Sequence, residues 1–169
     1  MDAQSLKQMQ APLKQRYREQ PERALITLKA AGRLGEGLTC KVETGKAVLA
    51  AGLHPATGGD GLSACSGDML LEALVACAGV TLGAVATALG IPLRGGRVSA
   101  EGDLDFRGTL GVAKEAPVGF RDIRLTFEVN SDASEDQLAN LLRLTERYCV
   151  VYQTLKQAPP IAVAMNRRA

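Results

Sequence analysis

Four cysteines, Cys40, Cys65, Cys77 and Cys149, and the single histidine, His54, are the side chains in this chain best suited to nucleophilic, redox or metal chemistry. A thiol attacks or ligates only as thiolate, and an unassisted one has a pKa of roughly 8.5, so its surroundings decide its reactivity. No pair is spaced as C-x-x-C and only one histidine is present, so no zinc site is expected. The glycine-rich run from Gly52 to Gly61 lacks the G-x-x-x-x-G-K-[ST] order of a phosphate cradle, so it predicts no nucleotide site. His54 precedes Pro55 and reads as a turn or packing residue rather than a base. Glu101, Asp103 and Asp105 alternate with apolar residues, which predicts a solvated strand face rather than a cation site.

Cys77 lies in the middle of the stretch around which the chain is arranged, Gly67 to Gly90. No charged side chain occurs from Ala73 to Leu93. Gly67-Asp68 supplies a start signal, and Gly90 with Pro92 a stop, for a helix of about six turns. Ala76, Gly79, Gly83, Ala86 and Gly90 recur at spacings of three and four, forming a stripe of small residues. Leu70, Ala73, Cys77, Val80, Thr81 and Ala84 lie roughly opposite. A helix with no polar face is expected to be buried on all sides. Its glycine and alanine content, with no basic flank, argues against a membrane span. On position alone, Cys77 is either a small core side chain or an enclosed reactive thiol.

The rest of the composition narrows the function classes. The 169 residues carry a net charge of +2 and no tryptophan, which gives neither a basic field nor a stacking platform for nucleic acid. No apolar secretory segment opens the sequence, so the expected compartment is cytoplasmic, where cysteines are thiols.

Residues 1–23 predict a polar helical arm with Leu6, Met9, Leu13 and Tyr17 on one stripe and Pro12 as a kink. Residues 24–169 form the domain proper. Ala24 to Ala30 reads as a strand, Gly32 to Gly37 as a turn, and Thr39 to Thr44 with Ala47 to Ala51 as a hairpin. Val98 to Arg107 alternates, as do Ile123, Leu125, Phe127 and Val129. Ser134 and Gln137 make a capping box for a helix running toward Pro159-Pro160. On it Leu138, Leu142, Thr145, Cys149 and Tyr152 share one face, which turns Cys149 inward. Ile161, Val163 and Met165 predict a closing strand. The order gives an α+β domain rather than a wound βαβ one.

Two separated cysteines, each on the inward face of a helix after an antiparallel run, resemble the OsmC/Ohr superfamily. The residues that carry the resemblance are Leu70-Leu71-Glu72-Ala73-Leu74-Val75-Ala76-Cys77, then Thr81 and Leu82, and Glu146-Arg147-Tyr148-Cys149-Val150-Val151 with Leu155. It spans roughly residues 24–165.

The resemblance implies an OsmC-like fold: an intertwined homodimer in which two antiparallel sheets wrap the central helices and active sites form between subunits. It implies a thiol peroxidase for oxidative or osmotic stress defence, with an organic hydroperoxide as substrate and a lipoyl-type dithiol as reductant. Neither metal nor other cofactor is implied. Cys77 matches the peroxidatic thiol, Cys149 the resolving thiol, and Arg33 the arginine that holds the thiolate. Gly67 stands where those enzymes carry a glutamate, and Asp68 is the nearest carboxylate. That departure keeps a second expectation open, a relative that binds a small apolar ligand without peroxide chemistry.

Overall fold

The computed structural model describes residues 3–34, 40–42, 52–62, 64–165 and 167. One antiparallel sheet in the order β2-β1-β3-β4 carries a long helix on one face. Its strands are β1 (Leu25–Leu34), β2 (Cys40–Val42), β3 (Gly96–Asp105) and β4 (Phe120–Val129). The helices are α1 (Ala3–Glu19), α2 (Ser66–Ala88), the single turn α3 (Phe106–Thr109), α4 (Glu135–Tyr148) and α5 (Val150–Lys156). The α+β expectation holds. Of the two sheets implied, the described residues supply one.

β1 pairs with β3 from Leu25↔Asp105 to Arg33↔Arg97, and β3 pairs with β4 along most of its length. The alternating side chains of β3 therefore divide: Val98, Ala100, Gly102 and Leu104 are buried. Leu71, Leu74, Val75 and Ala78 of α2 pack in the same core cluster. Gly102 is needed there because a Cβ would stand 2.5 Å from the Phe120 ring. The C-terminal part of α2 shares a second cluster with α4 through Leu82, Ala86 and Leu141.

α2 is long and apolar enough to cross a bilayer, yet it packs on β1, β3 and α4. Contrary to the expectation from its sequence, it is not buried on all sides. Val80 is 39% exposed, and a side chain at Gly83 would meet nothing within 4 Å. The sheet covers one side of the helix and α4 and α5 cover part of the rest; among the described residues, the surface around Val80 and Gly83 stays uncovered.

Other expectations shift for local reasons. Gly32-Arg33-Leu34 is strand rather than turn, because both its neighbours offer a ladder: Arg33 pairs with Lys41 on one side and Arg97 on the other. The returning half of the hairpin, Ala47 to Ala51, lies outside the described residues. Asp103 does face outward, where it accepts from Arg124 at 2.6 Å and from Thr27 at 2.6 Å. Asp105 does not: it is 2% exposed, caps α3 by accepting from the Arg107 amide, and pairs with the Arg107 guanidinium. A register irregularity between Asp103 and Leu104 and the start of α3 turn it inward. Ile161, Val163 and Met165 form no strand and are 81%, 90% and 98% exposed, since no described strand lies beside them.

The N-terminal arm folds back on its own body as one helix through Pro12. Tyr17 is buried in the main core, and its hydroxyl donates to the Ala56 carbonyl at 2.7 Å.

Candidate functional site

The structure brings Cys77 and Cys149 together. Cys77 faces out of the middle of α2, half-buried, and Cys149, 1% exposed, ends α4 and begins α5. Both are free thiols, and their sulfurs are hydrogen-bonding neighbours. Seventy-two positions separate them in the chain. The contact exists because α4 and α5 both pack on α2.

A break in the helix delivers Cys149. Its backbone is extended, at φ −72° and ψ 108°, between two helical segments. In an unbroken helix the amides of Val150 and Val151 would bond to the carbonyls four residues earlier. Here they face the sulfur of Cys77. Tyr148, Cys149, Val150 and Val151 are all modest helix formers, so little local preference opposes the break. Neither glycine nor proline marks it, which is why the sequence reads as one helix. The face is also corrected by the structure: Leu141 is buried, whereas Leu142 is 41% exposed.

Around Cys77 burial raises the cost of ionisation, but the amides of Val151 and Val150, the thiol of Cys149 and the hydroxyl of Thr81 outweigh it. The result is a thiol that ionises more readily than usual. Thr81 contributes because it lies one turn after Cys77 on the same face of α2. Cys149 goes the other way: burial, aided by the neighbouring Cys77 sulfur, pushes it up to about 11. One sulfur gives up its proton more readily than a free thiol, and the other holds its proton more tightly.

The remaining expected site residues are elsewhere or outside view. Arg33 has its backbone in β1, and its side chain lies outside the described residues. Among the described residues, the leading groups acting on Cys77 are neutral. Asp68 is not brought to Cys77 within the chain. Nine residues make about two and a half helical turns, which places it on the opposite side of α2. It sits instead near His54 and Glu72; burial raises its carboxyl, and the His54 charge opposes that rise. His54 is the turn residue expected. Its Nδ1 accepts from the Ala56 amide at 3.0 Å, and its ring stacks on Phe106 at 4.9 Å between centroids. Cys65 is the residue preceding α2 and makes no side-chain cap. The side chain of Cys40 is outside the described set. Among the described residues no group of histidine, cysteine and carboxylate side chains could hold a metal ion.

Sequence reasoning missed the amides of Val150 and Val151 because a main-chain donor has no residue-type signature. Thr81 was visible only as part of the family motif.

The family model described as OsmC-like protein matches residues 58–164, which include both thiols of the contact. The chain belongs to the OsmC-like family. Its architecture agrees with that of a solved OsmC-like hydroperoxide resistance protein from Jannaschia sp. CCS1. The TM-score is 0.62 at 14% identity, over 85% of this chain and 95% of that one. The search of curated proteins finds no match. α1, β1 and β2 of this OsmC-like chain precede the matched segment, so Arg33 stands outside it.

Proposed function

We propose that this protein is a thiol-dependent peroxidase that reduces organic hydroperoxides in the cytoplasm. The observation that carries the reading is the meeting of a readily ionised Cys77 with a protonated Cys149 in an apolar surround. The Cys77 thiolate attacks the terminal peroxide oxygen, the O–O bond breaks, and the alkoxide takes a proton and leaves as alcohol. Cys77 is then a sulfenic acid. The Cys149 sulfur attacks it, the S–O bond breaks, and water and a disulfide form. A dithiol of lipoyl type returns both sulfurs to thiols while itself becoming a disulfide. Arg33 is proposed to hold the peroxide oxygen against the thiolate, in the role its family counterpart suggests.

The working unit is proposed to be a homodimer. Val80 and the space over Gly83 leave one side of α2 open, and Tyr148, Val150, Ile161, Val163 and Met165 are exposed apolar surface. A second copy that covered them would also close the sulfur pair from water. The OsmC-like domain of the Jannaschia protein supports the reading as a relative named for hydroperoxide resistance.

Carriage of a small apolar ligand is a second reading favoured by one feature. Between β4 and α4–α5 lie two adjoining open clefts of about 470 and 510 Å³; Leu125, Tyr152 and Glu146 line both, Leu138 and Leu141 the first, and Leu155 the second with Arg121, Asp122 and Lys156. Ligand sites commonly have this size.

Titrating free thiols after adding cumene hydroperoxide to the reduced protein separates the two. Rapid loss of two thiols per chain, abolished in Cys77→Ser and Cys149→Ser, is the outcome expected. Unreactive thiols, with a fatty-acyl-like molecule retained in native mass spectra, would replace the peroxidase by the carrier. Arg33→Ala should slow the first oxidation by about an order of magnitude or more, the loss typical of a positioned electrostatic donor; an unchanged rate removes Arg33 from the mechanism.

A further inference from the structure

Breaking a helix at Cys149 creates a debt that one side chain settles. The carbonyls of the last turn of α4 lose the amides that a continuing helix would supply. Thr145 is served by the Cys149 amide at 2.9 Å. Glu146 would have been served by Val150, whose amide is turned to Cys77 instead. Its carbonyl accepts from Nε2 of Gln153 at 2.7 Å, across the break. The Gln153 main-chain amide simultaneously donates to the Cys149 carbonyl at 2.9 Å and so starts α5. One half-buried residue thus holds both sides of the break.

We propose that Gln153 is a positioning residue for the sulfur pair, substituting for the Val150 amide at the Glu146 carbonyl so that this amide can serve Cys77. The proposal rests on the reading of Cys77 as the attacking thiol. Without the side-chain donor, the Val150 amide is the main-chain group that helical geometry would return to the Glu146 carbonyl. Recovering that bond closes the helix through Cys149, withdraws a donor from Cys77 and swings the second sulfur away.

The test is alkylation of Cys77 by iodoacetamide across a pH series, followed peptide by peptide, in wild type, Gln153→Met and Gln153→Lys. Methionine keeps the length and loses the donor; lysine keeps a donor of similar reach. Gln153→Met is expected to raise the midpoint of Cys77 alkylation and slow the reaction near neutral pH by roughly fivefold, the worth of one ordinary hydrogen bond. Gln153→Lys is expected to stay near wild type. An unchanged midpoint in Gln153→Met, or an equal shift in both variants, overturns the proposal. Alkylation needs no peroxide, so a wild-type protein that leaves hydroperoxide untouched would count against the peroxidase reading alone.

Discussion

Burial opposes ionisation at both Cys77 and Cys149, yet only at Cys77 do the surrounding donors outweigh it. The two thiols should therefore separate by pH. Iodoacetamide near neutrality is expected to label Cys77 and spare Cys149, whose value of about 11 keeps it protonated. Equal labelling would contradict the asymmetry. Asp68 gives a second prediction. Its folded-state value is raised by burial, so the protonated form is favoured on folding. That contribution is complete below the ordinary carboxylate range and is lost as pH rises through the raised value. Asp68→Asn should then melt at or above the wild-type temperature at neutral pH, with the difference shrinking under acid. A lower melting temperature at neutral pH would show that the carboxylate's contact with His54 outweighs its burial. Both cysteines could be picked from residue type together with the family resemblance, whereas periodicity alone left Cys77 open between core side chain and reactive thiol. The donors around Cys77 could not, because they are mostly main chain. Asp68 was chosen as the carboxylate nearest the missing glutamate position, and within one chain its neighbours are His54 and Glu72.

At the scale of elements, patterns of period two and four were legible because one face of each element meets a core. β3 and β4 follow their alternation, and α4 starts at the capping box of Ser134 and Gln137. Ser134→Ala is expected to cost about 1 kcal/mol by denaturant unfolding, the usual worth of such a cap. Gly102→Ala should cost more than a surface glycine replacement, about 1–3 kcal/mol, because the new methyl displaces the Phe120 ring. Wild-type stability in that variant would mean the ring moves freely. What pattern could not supply was the end of a periodic run without a breaker residue. The helix beginning at Glu135 passes its hydrophobic stripe straight through Cys149, while the backbone does not.

For the molecule as a whole, the apolar residues that a single chain leaves uncovered set the expectation. Sequence periodicity marks which side chains seek cover but not whether the cover comes from the same chain, which is why Ile161, Val163 and Met165 read as a strand and stand exposed. Sedimentation should find two copies associated, and Val80→Glu, placing a charge on the open side of α2, should shift the species toward one. A wild-type monomer at micromolar concentration would remove the dimer from the proposal.

The position of Cys149 between two helices has an optical corollary. The chain has no tryptophan and three tyrosines, of which Tyr148 and Tyr152 flank this sulfur within one turn on either side. Emission from these rings, with Tyr17 as the remaining contributor, should therefore change when the neighbouring thiol becomes a disulfide. The oxidation state could then be followed continuously by light, with no dye and no label.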